Sequence, residues 1–91
     1  SQPAAEVDAF DAKADAMALL SGLGVATGGL QVVPGGPAWM HPGRSATLQF
    51  GPPNPIGCFG EIHPRVLKAL DIKGPIVAVE ILLDSIPAPK A

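Results

Sequence analysis

The sequence predicts an α+β fold: a mostly antiparallel sheet of about four strands carrying one longer and one short helix. Three observations predict it. The alternating segment Ser45 to Phe50 and the returning segment Ile56 to Ile62 flank the turn Gly51-Pro52-Pro53-Asn54-Pro55 and read as a hairpin. Asp11 to Ser21 is rich in alanine and leucine at helical spacing. Ile76 to Leu83 is dominated by β-branched and other apolar residues.

In chain order, residues 1–6 are expected to form a flexible lead. In the first helix, Phe10, Ala14 and Met17 follow the i, i+4, i+7 spacing of one face. Asp8 or Asp11 is the candidate N-terminal cap, and Gly22 or Gly24 the candidate stop. Acids near the helix start complement its dipole. From Gly24 to Arg44 the chain is broken by Gly28-Gly29, Pro34-Gly35-Gly36-Pro37 and Pro42-Gly43, leaving only Leu30 to Val33 for a short strand. In the first hairpin strand Ala46, Leu48 and Phe50 share one face, opposite Thr47 and Gln49. The returning strand places Cys58 with Ile56 and Ile62 by the same parity, and its glycines, Gly57 and Gly60, allow a bulge or a close backbone approach.

Pro64 suits the first turn of a short helix, Arg65 to Leu70, with Val66, Leu67 and Leu70 on one side. In Ile76 to Leu83 both faces are largely apolar, the pattern of a central strand covered on two sides. Glu80 interrupts it. A carboxylate there requires a partner, and Arg44 and Arg65 are the candidates. Pro87 to Pro89 leads out, with residues 88–91 expected as a linker.

Bulk properties narrow the function. The chain has 91 residues, 47% of them apolar and 15% charged, which fits one packed domain and argues against intrinsic disorder. No apolar run approaches the roughly 18 residues of a membrane span, and no basic stretch precedes an apolar one as in a secretory signal. The single cysteine rules out an internal disulfide and fits a reducing cytoplasm. A net charge of −2 gives no overall attraction to phosphate. The acids Glu6, Asp8, Asp11 and Asp15 crowd the start, whereas Arg44, Arg65, Lys68 and Lys73 lie further along, without the interleaved aromatics of a base-stacking platform.

His41, Cys58 and His63 are the soft metal ligands, at a spacing that matches no zinc pattern. Cys58 and His63 as nucleophile and base, oriented by Asp71 or Glu61, is a weaker reading than a buried inert thiol. The glycine pairs lack a phosphate-cradling pattern and read as turns.

Two segments concentrate special residues: Trp39-Met40-His41-Pro42-Gly43-Arg44-Ser45 and Gly57-Cys58-Phe59-Gly60-Glu61-Ile62-His63-Pro64. With Phe10-Asp11-Ala12-Lys13, the His41 to Ala46 turn, Phe59 to Leu70, and Lys73-Gly74-Pro75 followed by Glu80, the chain from Val7 to Pro87 resembles the bacterial phenylalanyl-tRNA synthetase β-subunit family. The stretch Gly28 to Val33 carries no family signature, and the proline-rich turn at 51–55 departs from a usual hairpin loop.

The resemblance implies that residues 7–87 are the C-terminal part of a module with the class II synthetase core, and that it lacks catalytic residues of its own. It implies a heterotetramer with the α subunit, ATP and Mg²⁺ as cofactors of the whole enzyme but none bound here, tRNA as a partner of the whole enzyme, and cytoplasmic location. Within it, His41, Pro42, Gly43, Arg44, Gly60, Glu61, His63, Pro64 and Glu80 are expected to fix turns and interchain contacts. Taken alone, such a segment is expected to expose apolar sheet and self-associate. The rival reading is an independent ferredoxin-like module that binds a small molecule such as an amino acid.

Overall fold

The computed structural model describes residues 9–52 and 54–86. The lead at 1–6, the candidate cap Asp8, the side chain of Phe10 and the linker at 88–91 lie outside the described residues.

Helix α1 spans Ala9–Gly22. Its buried stripe is Ala12, Ala16 and Leu20, with Met17 half-buried beside it; Ala14, expected on the inner face, is exposed. The i, i+4, i+8 row won because small alanines let the helix lie close on the sheet, and Leu20 then fills the space at its end. Asp11 sits inside the first turn instead of capping it. The helix stops as a Schellman turn: Val25 N–H donates to the Leu20 carbonyl at 2.9 Å and Gly24 N–H to that of Ser21 at 3.0 Å, with Gly24 at φ 86°. Val25 and Leu20 are both in the core, the apolar contact that accompanies this motif.

Four strands follow in one antiparallel sheet, in spatial order β1-β2-β3-β4: β1 (Gln31–Pro34), β2 (Met40–Gln49), β3 (Pro55–Ile62) and β4 (Val77–Ile81). Helix α2, Pro64–Ala69, joins β3 to β4. Helix α1 lies across β3 and β4. Ala46 and Leu48 of β2 and Ile56 and Phe59 of β3 complete the core with it, flanked by Val77, Val79 and Ile81.

Two register slips organise the sheet. Leu48 pairs with Gly57 but Gln49 with Pro55, so Ile56 is an extra residue in β3. Unslipped alternation would put Cys58 on the face of Ile56; the bulge turns Ile56 toward the helix and leaves Cys58 on the opposite face, paired with Thr47 and Glu80. The second slip lies between Met40, opposite Ile62, and Ser45, opposite Gly60. There His41, Pro42, Gly43 and Arg44 bulge out against Glu61 alone.

Strand β4 is an edge strand, not the central one that its apolar pattern predicted. It is also shorter than expected, because Leu83–Ser85 turns in a 3-10 helix and leaves Leu82 and Leu83 exposed. Within α2, Leu67 is buried while Leu70, expected on the same side, is 62% exposed. The helix ends one residue before Leu70, and Asp71 then takes a left-handed φ of 55° to close it, with Ile72 N–H donating to the Leu67 carbonyl at 2.9 Å. No described helix is long and apolar enough to cross a membrane.

Candidate functional site

The two motif-rich segments meet at one corner of the sheet, and their special residues are used on one another. The β2 bulge is closed from within. Ser45 Oγ donates to the His41 carbonyl at 2.6 Å, and Gly43 N–H donates to His41 Nδ1 at 3.1 Å. Across the slip, Arg44 Nη1 donates to Glu61 Oε2 at 3.1 Å and to Oε1 at 3.4 Å. This ion pair joins the bulge to the strand it faces, although the Arg44 side chain is 63% exposed. Exposed pairs of this kind contribute about 0–1 kcal/mol, so its value lies in fixing where the guanidinium points.

Gly60 makes the close packing possible. Its φ is 142°, and a Cβ built on it would lie 2.3 Å from the Arg44 carbonyl oxygen and 2.5 Å from Ser45 Cα. Gly57 has the same role on the β4 side, where a Cβ would meet the Glu80 carbonyl oxygen at 2.6 Å. The sequence expectation of close backbone approach at both glycines is met.

His63 ends β3 and starts α2. Its backbone N–H donates to the Trp39 carbonyl at 2.8 Å, and its Nδ1 accepts from Arg65 N–H at 3.0 Å as the helix N-cap, with Pro64 in the first turn. Both histidines therefore use Nδ1 as an acceptor to hold backbone. His41, Pro42, Gly43, Arg44, Gly60, Glu61, His63 and Pro64 all belong to this corner. Glu80 does not. It is exposed, so it needs no burial-compensating cation, and Arg44 has gone to Glu61 instead.

The partner of Glu80 is Cys58, whose Sγ donates to its Oε1 at 3.9 Å. Cys58 is 5% exposed. Burial, then the negative charge of Glu80, then the hydrogen bond to it, push the Cys58 thiol up from 9.0 to about 11. A thiol held protonated in this way is a poor nucleophile, and His63 is engaged elsewhere, so the nucleophile–base pair considered from the sequence is not assembled. Between pH 9.0 and about 11 the folded chain holds a proton that the unfolded chain gives up. Stability should therefore fall as pH rises through that window. Urea midpoints across it, compared with Cys58→Ala, check this: the variant should lose that part of the decline. Among the described residues no three His, Cys, Asp or Glu side chains gather as a metal set.

Sequence reasoning missed two features. One is the cover over the second sheet face: Gly35 N–H donates to the Ser45 carbonyl and Thr47 Oγ1 to the Gly35 carbonyl, both at 2.8 Å. The other is a groove of about 490 Å³ beside the corner, between α2 and the segment 73–75. The hairpin register would have revealed the Arg44–Glu61 pair, had the size of the bulge been known.

The whole of this corner falls within a match to a known family. The family model described as the phenylalanyl tRNA synthetase beta chain CLM domain matches residues 1–83. This chain belongs to that family. Among relatives, the chain is similar to the Phenylalanine--tRNA ligase beta subunit of Bradyrhizobium diazoefficiens, 53% identical over 93% of this chain. It is 52% identical to that of Brucella abortus over 97% of the chain, and 50% identical to that of Paramagnetospirillum magneticum over all of it. In each case the match spans 11% of the relative's length. Membership of the tRNA synthetase beta chain family does not favour the rival reading of a freestanding amino-acid-binding module.

Proposed function

We propose that this chain is a structural, non-catalytic part of a phenylalanine–tRNA ligase, helping a β chain to assemble with a catalytic α subunit. The observation that carries the reading is the family match across residues 1–83, combined with a motif corner whose polar groups are turned mainly to one another. Amino-acid activation by a class II enzyme needs cations placed along a triphosphate and carboxylates for Mg²⁺. Here Arg44 is paired with Glu61, and the His41 and His63 rings brace backbone. In this reading ATP, Mg²⁺ and tRNA are handled by the whole cytoplasmic enzyme, and this chain binds no cofactor.

Residues 7–87 then form the last part of a class II-like core. The unpaired edge of β4, with apolar residues on both its faces, supports continuation of the sheet by strands from the rest of the β chain. His41, Pro42, Gly43, Arg44, Gly60, Glu61, His63 and Pro64 fix the corner that faces the partner, and Glu80 marks the free edge.

The test is Arg44→Ala in the full-length β subunit co-expressed with its α subunit. The sequence context allows the variant to fold, since the lost pair contributes about 1 kcal/mol at most. Sedimentation should show weakened tetramer formation, while phenylalanyl-adenylate formation per assembled complex stays unchanged. Normal assembly together with impaired adenylate formation would sink the structural reading.

A further inference from the structure

We infer that the groove between α2 and the segment 73–75 seats an acidic, otherwise apolar peptide segment of the subunit with which this chain assembles; the inference rests on the assembly reading above. The groove floor is apolar, built from Ile62, Leu67, Ile72 and Pro75. Ile72 is 41% exposed, a β-branched side chain left open beside a concave surface. Cations stand around that floor. The side chains of Lys68 and Lys73 line the groove and have no hydrogen-bond or ion-pair partner among the described residues. Arg44 projects into the same groove and is held to Glu61 through Nη1 alone, which leaves Nε and Nη2 unpaired among the described residues.

A guanidinium anchored at one nitrogen has already lost much of its freedom, so its open edge receives a carboxylate at reduced entropic cost. The two acids on the groove differ in state: Glu61 is already neutralised by Arg44, and Asp71 closes α2 at the far side. With that pair set aside, Lys68 and Lys73 outnumber Asp71, so the groove keeps a net positive charge. An apolar floor with separated cations at its rim complements a chain segment carrying carboxylates between apolar side chains. It suits RNA poorly. No aromatic side chain lines the groove for base stacking.

Two measurements on the full-length α/β complex test this. Zero-length carbodiimide coupling, read by mass spectrometry, should join Lys68 or Lys73 to an aspartate or glutamate of the α subunit. Lys68→Glu combined with Lys73→Glu should raise the subunit dissociation constant about tenfold or more, as expected when charge pairs across an interface are reversed, with tRNA affinity of the assembled complex unchanged. The inference is overturned by couplings confined to the β chain, by an unchanged dissociation constant, or by a loss limited to tRNA binding, which would assign the groove to nucleic acid. If wild-type β and α do not assemble at all, the underlying assembly reading fails; if they assemble and only these lysines prove indifferent, the groove alone is wrong.

Discussion

Replacing Gly60 with alanine is expected to remove about 3–5 kcal/mol of stability, a large share of the 5–15 kcal/mol or so that holds a domain folded. Two independent costs add. A non-glycine residue held at the Gly60 φ of 142° carries about 1–3 kcal/mol of backbone strain. The new methyl also meets backbone, at 2.3 Å from the Arg44 carbonyl oxygen and 2.5 Å from Ser45 Cα, which cannot rotate away as a flexible side chain would. Overpacking of that kind costs a further 1–3 kcal/mol or so. Relief requires β2 and β3 to separate, and separation would break the Arg44–Glu61 pair at the same corner. Urea denaturation of Gly60→Ala beside Gly28→Ala is the check, because a Cβ at Gly28 meets nothing within 4 Å. Equal midpoints for the two variants would refute the close-approach account.

The second large effect is expected from Leu20→Ala, at about 2–5 kcal/mol. Leu20 is fully buried and is the largest side chain in the buried stripe of α1, whose other members are Ala12 and Ala16. It also contacts the core at the Schellman turn, beside Val25. Truncation leaves a cavity between helix and sheet that two alanines cannot fill. The loss should appear in the urea midpoint and in earlier hydrogen exchange of α1 amides than of β2 and β3. Exchange that rises uniformly across all elements would argue against Leu20 as the local anchor of the helix.

How much of this was readable in the residues differs by element. The hairpin was legible because Ser45 to Phe50 alternates and Ile56 to Ile62 follows across a proline-rich turn; β3 sits where expected, but β2 already begins at Met40, inside the stretch expected to be turn, and ends at Gln49. Both glycine approaches followed from the rule that glycine inside a strand marks a bulge or a close neighbour. The face assignments failed where one residue of slip reverses parity. Cys58 was placed beside Ile56 by straight alternation, and the extra residue at Ile56 sent it to the other side. Ala14 was placed on the inner face that Ala12, Ala16 and Leu20 occupy, because alanine carries too little hydrophobic contrast to mark a face. The apolar pattern of β4 was read as burial between two layers, yet a pattern cannot distinguish a strand already covered from one awaiting its cover. The corner residues were picked out by their clustering; their mutual bonds were not, since the size of the β2 bulge is set by tertiary pairing.

Strand β4 hydrogen-bonds to β3 through its even residues, as in the Ile76 carbonyl to Ile62 and Leu82 N–H to Ile56 contacts, so the amides and carbonyls of Val77, Val79 and Ile81 point outward. Among the described residues nothing covers that ladder, and it is expected to accept an extended peptide, another copy of this chain included. Glu80 is the one charge between Ile76 and Leu82, the sole electrostatic deterrent along that border. If copies pair along it, dissolved salt, by screening that charge, should speed the pairing.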